Sequence, residues 1–244
     1  MEFTMVLEDD LAEELCKFKN QEDYNDKIVE HILHYYKPYI LLSKTYMKKY
    51  YSDPTILKSI IGANNNIFFD ESLEQLANKT LYKIILSKNK NEFPYINIFN
   101  DKIENNLAAT FSKQEERTKA KEHFKALFHN AKTLFIYDNY LCANRNNQDS
   151  FKKFAEECFP KQKLSIFYPP SLPFPQELRT ELKSICKDWK ITKNPNTNNN
   201  YNYNELHDRY IIIDRKIQII LTSGIDYLMD TTKDFTYIIR ETKE

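Results

Sequence analysis

Glycine is almost missing from this chain of 244 residues, which holds only Gly62 and Gly224. A phosphate-cradling loop of the Walker or Rossmann type needs several glycines, because its backbone must turn tightly and approach the anion closely; nucleotide binding through such a loop is excluded. Net charge is missing too, since 35 basic side chains face 35 acidic ones. No global field draws the chain to a polyanion, so any phosphate ligand has to be held by a local patch. The four cysteines, Cys16, Cys142, Cys158 and Cys186, form no CxxC pair. That removes the usual zinc spacing, and a chain of this size needs no disulfide staples, so reduced thiols in a cytoplasmic setting are expected. No apolar run reaches the roughly 20 residues of a bilayer span. The N-terminus carries Glu8, Asp9, Asp10, Glu13 and Glu14 where a signal peptide would be basic, so a soluble chain without a transmembrane segment is expected.

What the chain does have is core-forming material, 41% hydrophobic and 14% aromatic residues, enough for one large domain or two modest ones. The first hundred residues mix helical patterns at Leu7 to Phe18 and Ser72 to Lys79 with strand-like runs at Tyr39 to Ser43, Leu81 to Leu86 and Tyr95 to Phe99. A mixed α/β N-terminal segment over 1–112 is the expectation. From Ser112 to Asn130 the pattern reads as a charged amphipathic helix, with Ser112 and Glu115 at capping-box spacing and Ala120, Phe124, Leu127 and Phe128 on one face.

Over 113–244 strands and helices then alternate: strand Thr133 to Tyr137, helix Asp149 to Cys158, strand Lys163 to Phe167, helix Pro175 to Lys187, strand Trp189 to Thr192. Such alternation implies crossover units and a largely parallel sheet. Asn194 to Asn204, with seven Asn in eleven positions, is a loop by composition. It runs directly into His207-Asp208-Arg209-Tyr210-Ile211-Ile212-Ile213-Asp214, a polar triplet entering a β-branched strand that ends on a carboxylate. A second strand at Lys216 to Leu221, linked by Asp214-Arg215, reads as the other half of a hairpin, although Asp-Arg is not a favoured turn pair. Phe235 to Arg240 supplies a last strand.

The run His207-x-Arg209-x4-Asp214, followed by Thr222-Ser223-Gly224, resembles the HxKx4D signature of the phospholipase D superfamily with its downstream Gly-Ser element. Leu134 to Leu141 is similar to the opening strand of small bacterial domains of that fold. Gly224-Ile225-Asp226-Tyr227 is similar to an element in the phospholipase D-like C-terminal domain of microtubule interacting and trafficking proteins. The resemblance covers about residues 128 to 244. It implies a phospholipase D-like mixed sheet with flanking helices, and a metal-independent, cofactor-free phosphodiesterase in which one histidine attacks phosphorus and another protonates the leaving oxygen. His207 would then be nucleophile or acid, Arg209 would hold phosphate oxygens in place of the family's Lys, and Asp214 would take the motif Asp place. Thr222 or Ser223 would stand where the downstream Ser lies, and Asp138 would line the pocket.

The substitution of Arg for Lys exchanges a point charge for a planar fork. A single motif copy means that a two-histidine site requires a homodimer. The resemblance implies a nuclease, of a bacterial defence or toxin type, acting on nucleic acid; a catalytically inactive module binding phosphate, phosphoinositide, nucleic-acid backbone or a protein partner is the alternative, as is an accessory subunit of a larger complex. Three weaker patterns compete with solvated or packed structural roles. His123-Phe124-Lys125 sits inside the amphipathic helix, where a strand motif cannot be presented. His31 and His34 stand at helical spacing without a third ligand. Tyr35 to Tyr51, interleaved with lysines, has the composition of a single-strand platform or of a core edge.

Overall fold

The computed structural model describes residues 2–43, 45–47, 71–194 and 208–242. The chain divides into two compact units, Met1–Asp101 and Lys102–Glu244. In the first, β1 (Val6–Leu7), β2 (Ile85–Ser87) and β3 (Tyr95–Asn97) form a parallel three-stranded sheet with α1 (Asp9–Lys19), α2 (Asp26–Tyr35) and α3 (Leu73–Ala77). Helix α1 starts where Asp9 and Asp10 meet the positive end of its dipole and ends on Lys17 and Lys19. Asn25 accepts from the Ile28 N–H to cap α2, and Ser72 with Gln75 forms a full capping box on α3. Val6, Leu41, Leu76, Ala77 and Ile85 make a core cluster. Tyr39 to Ser43 is not a strand; Leu41 contributes a single bridge to Val6. Of the tyrosine and lysine stretch, Tyr35 and Tyr46 are buried and Tyr36 and Tyr39 exposed, while Lys44, Lys48, Lys49, Tyr50 and Tyr51 lie outside the described residues. His31 lies edge-on against Phe99 at 4.7 Å and 5.9 Å from His34.

The second unit contains β4 (Ala108–Phe111), α4 (Thr118–Phe128), β5 (Thr133–Tyr137), α5 (Arg145–Cys158), β6 (Leu164–Tyr168), α6 (Gln176–Ile185), β7 (Trp189–Lys193), β8 (Arg209–Ile213), β9 (Ile217–Leu221), α7 (Asp226–Met229) and β10 (Phe235–Glu241). Its seven strands form one sheet in the order β4-β10-β9-β8-β5-β6-β7. Only β5, β6 and β7 are mutually parallel, joined by the helical crossovers; β8, β9, β10 and β4 run antiparallel to their neighbours. The largely parallel sheet expected from the alternation therefore holds for three strands. The three-residue link between β8 and β9 is too short for a parallel return, so they pair as a hairpin, and β10 joins β9 antiparallel after a longer segment that carries α7. Strand β4, whose four residues gave no signal in the sequence, closes the edge against β10 with Thr110 opposite Thr236.

Helix α4 is shorter at its N-terminus than the capping-box spacing predicts. The Ser112 N–H does donate to Glu115 Oε2 at 2.8 Å, but the turn does not continue as helix. Buried Arg117 gathers the Ser112, Glu115 and Lys233 carbonyls instead, which ties this turn to the segment before β10. On one face of the sheet Leu134, Ile136, Ile211, Ile219, Leu221 and Tyr237 are fully buried, and on the other Phe135, Tyr137, Tyr210, Ile212 and Ile220 form a second buried cluster. Aromatic rings from α4 and α5 cover the first face: Phe124 meets Tyr237 at 4.9 Å and Phe154 at 6.2 Å, and Phe128 meets Phe154 at 5.9 Å. His123, fully buried on α4, meets the Tyr237 hydroxyl at 3.1 Å and is a packing residue. Among the described residues no helix is long and apolar enough to cross a membrane.

Candidate functional site

Strand pairing decides which of the candidate residues meet. Tyr137 lies opposite Tyr210, and Arg209 lies opposite Leu221, so the end of β5, the start of β8 and the end of β9 coincide at one rim of the sheet. Alternation puts Arg209 on the helix-covered face with Leu221. Asp138 follows the last residue of β5 and its carboxylate reaches that same rim, with Oδ1 3.9 Å from the Arg209 Nε.

Asp138 is 3% exposed and Arg209 17% at the side chain. The Asp138 Oδ1 also accepts from the Tyr140 N–H at 2.8 Å. Burial pushes the Asp138 carboxyl above its ordinary value; the Tyr140 N–H, the Arg209 charge and the Ile225 N–H oppose that, and the nearby Asp226 carboxylate reinforces it. Burial and the Asp138 charge together push the Cys142 thiol up to about 11, which makes it an unreactive neighbour. Arg209 lies over the Tyr140 ring at 5.1 Å from its centroid. One carboxylate, one guanidinium and one ring thus form a single assembly.

Ser223 and Thr222, both candidates for the downstream hydroxyl, separate. Thr222 is exposed and its N–H donates to the Thr236 carbonyl at 3.2 Å, so it continues the sheet. The Ser223 Oγ is buried with no hydrogen-bond partner among the described residues. Gly224 does not adopt the positive φ that is glycine's usual reason. Its requirement is space: a Cβ there would fall 2.1 Å from Asp226 Oδ1 and 3.9 Å from Asp138 Oδ2. A side chain at 224 would push the Asp226 carboxylate aside.

Asp214 is at the other end of β8. Five residues of strand, about 3.3 Å each, put it about 16 Å from Arg209, so the two do not share a site. Its Oδ1 accepts from the Lys132 N–H at 3.0 Å, the Thr133 N–H at 2.7 Å and the Thr133 hydroxyl at 3.0 Å. The Asp214 N–H in turn donates to the Thr133 carbonyl at 3.0 Å. Asp214 and Arg215 both have positive φ, 48° and 58°, the backbone signature of a type I′ hairpin turn. His207 lies outside the described residues. In the sequence it is two positions before Arg209, and the described chain resumes at Asp208, beside the rim.

Sequence reasoning missed Tyr140 and Asp226. The signal for Tyr140 was Asp138-Asn139-Tyr140 at a strand end, where an Asp commonly accepts from the backbone two residues on. Asp226 stands in the Gly224-Ile225-Asp226-Tyr227 run, but nothing there gave it a part in the site, because its proximity to Asp138 arises from long-range pairing.

The mixed seven-stranded sheet with flanking helices is the architecture the motif resemblance implies. Among solved structures, the chain is similar to NucT from Helicobacter pylori, with 16% identity and a TM-score of 0.32 over 54% of this chain and 84% of that one. It is also similar to Nuc from Salmonella typhimurium, a phospholipase D family member, with 9% identity and a TM-score of 0.29 over 55% of this chain and 84% of that one. No model of a known protein family matches the sequence, and no curated protein matches it.

Proposed function

We propose that the second unit is a metal-independent phosphodiesterase acting on nucleic acid, with its site at the rim where Asp138, Arg209 and Ser223 gather. The observation that supports this best is the Arg209 guanidinium held from one side by Asp138 and from another by the Tyr140 ring. A guanidinium fixed in this way presents a planar fork to phosphate oxygens without a further loss of side-chain freedom. His207, two residues before it, is assigned the attack on phosphorus. The P–O bond to the leaving oxygen breaks, that oxygen takes a proton from a second imidazole, and water then releases the phosphoryl group from His207. The second imidazole is assigned to His207 of another copy of the chain. Asp214 is assigned a structural part, holding the β8–β9 turn against Lys132 and Thr133.

A specific observation favours a second reading, phosphate binding without turnover. The buried Asp138 carboxylate stands beside the Arg209 charge that would neutralise a phosphodiester at this rim, which weakens its pull. The deciding experiment incubates the protein with single- and double-stranded DNA and RNA in EDTA. Cleavage by the wild type that is lost in His207→Ala supports the phosphodiesterase, and binding without cleavage in either protein leaves the second reading. A protein that cleaves as a strict monomer removes the two-copy mechanism. A role in bacterial defence rests on the resemblance, and is tested by whether cleavage in cells accompanies phage challenge.

A further inference from the structure

Tyr140 is 59% exposed, more than any other large hydrophobic side chain among the described residues, and it stands at the mouth of the candidate site. An aromatic ring left in water costs hydrophobic stabilisation, and nothing in the packing requires a ring at this position. Its backbone is nevertheless held on both sides. The N–H donates to Asp138 Oδ1 at 2.8 Å, and the carbonyl accepts from the Ala143 N–H at 3.0 Å and the Asn147 side-chain amide at 2.8 Å. The Arg209 guanidinium covers one face of the ring at 5.1 Å. With one face so covered, the 59% exposure leaves the other to solvent.

We infer that Tyr140 is a stacking platform for a nucleobase, which makes the preferred ligand a single-stranded nucleic acid. The inference rests on Arg209 as the phosphate contact. A planar cation for the backbone beside a fixed aromatic face for a base is the pairing by which single strands are held without sequence readout. A base within a duplex has both faces stacked on its neighbours and offers none to Tyr140, so duplexes are disfavoured. A lipid headgroup carries the phosphate but no flat π face. Asp138 Oδ1 both accepts from the Tyr140 backbone N–H and faces the Arg209 Nε, so a change at 138 disturbs both neighbours at once.

Fluorescence anisotropy with a labelled single strand and an abasic strand of the same phosphate count tests this, using the full chain carrying His207→Ala to prevent cleavage. Tyr140→Ala in that background is expected to weaken binding of the intact strand by roughly five- to hundredfold, to leave the abasic strand unchanged, and to retain the fold by circular dichroism because the ring is exposed. Tyr140→Trp is expected to restore the intact strand's affinity. Arg209→Ala is expected to weaken both strands alike. Equal loss for both strands in Tyr140→Ala, or none for either, overturns the stacking role while Arg209-dependent binding keeps the phosphate site standing. Should neither strand nor inorganic phosphate bind the parent protein, both this inference and the phosphate site fall. Tyr140-dependent binding to phosphatidylglycerol vesicles, with no binding to either strand, assigns the ring to a membrane surface and likewise overturns it.

Discussion

Asp138 and Asp214, two aspartates near opposite ends of β8, lead to opposite expectations. Burial raises the Asp138 carboxyl, so the folded state holds its proton more tightly than the unfolded one. Its stabilising contribution is fully present below the ordinary value of 3.8 and is lost as pH rises through the raised folded value. Asp138→Asn keeps an oxygen for the Tyr140 N–H and removes that loss. Urea unfolding from mildly acid to neutral pH should show the variant gaining on the wild type as pH rises; parallel curves would refute the assignment. Asp214→Ala is expected to cost about 1–3 kcal/mol, because the Lys132 and Thr133 N–H groups lose their acceptor. The sequence revealed both residues but not their division of labour. In one dimension Arg209 and Asp214 belong to one motif; strand rise separates them by about 16 Å, while pairing of β5 with β8 brings Asp138, 71 residues earlier, to 3.9 Å from Arg209.

Among the elements, the β8–β9 hairpin carries a cost that can be removed. Arg215 at φ 58° occupies the left-handed region that an L side chain enters at about 1–2 kcal/mol. Arg215→Gly is therefore expected to raise the melting temperature slightly, the gain reduced by glycine's greater unfolded entropy and by the lost contact with Phe135. Asp214→Gly in the same turn should lower it, because the acceptor goes as well. Helix α4 is the opposite case. Phe124 touches rings of both β10 and α5, and Phe124→Ala should cost about 3–5 kcal/mol by chemical denaturation. Periodicity revealed Phe124 and Phe128, because a helix face repeats within one stretch of chain. It could not reveal Arg117 as the anchor of the preceding turn, since its partner carbonyl at Lys233 is 116 residues away. Strand β4 was hidden for the same reason: Ala108 to Phe111 has little strand character until β10 is laid beside it.

For the whole molecule, Lys102–Glu244 carries its own sheet and aromatic core. Residues 102–244 expressed alone are expected to fold cooperatively. Trp189, the chain's single tryptophan and fully buried, reports on this directly: blue-shifted emission that moves in one transition is the expected result, and solvent-exposed emission in the native buffer would refute it. The alternation of strands and helices made β5, β6 and β7 readable from sequence, whereas the sheet order needed long-range pairing. That pairing has a consequence for synthesis on the ribosome. Thr110 of β4 bonds to Thr236 of β10 across 126 residues. At about 5–20 residues per second, β4 emerges on the order of 6 to 25 s before its partner exists. The nascent chain meanwhile carries an unpaired strand with a row of open amides, a natural point for a chaperone to engage, and a ribosome that stops short of β10 releases a unit in which both β4 and β9 lack their partner.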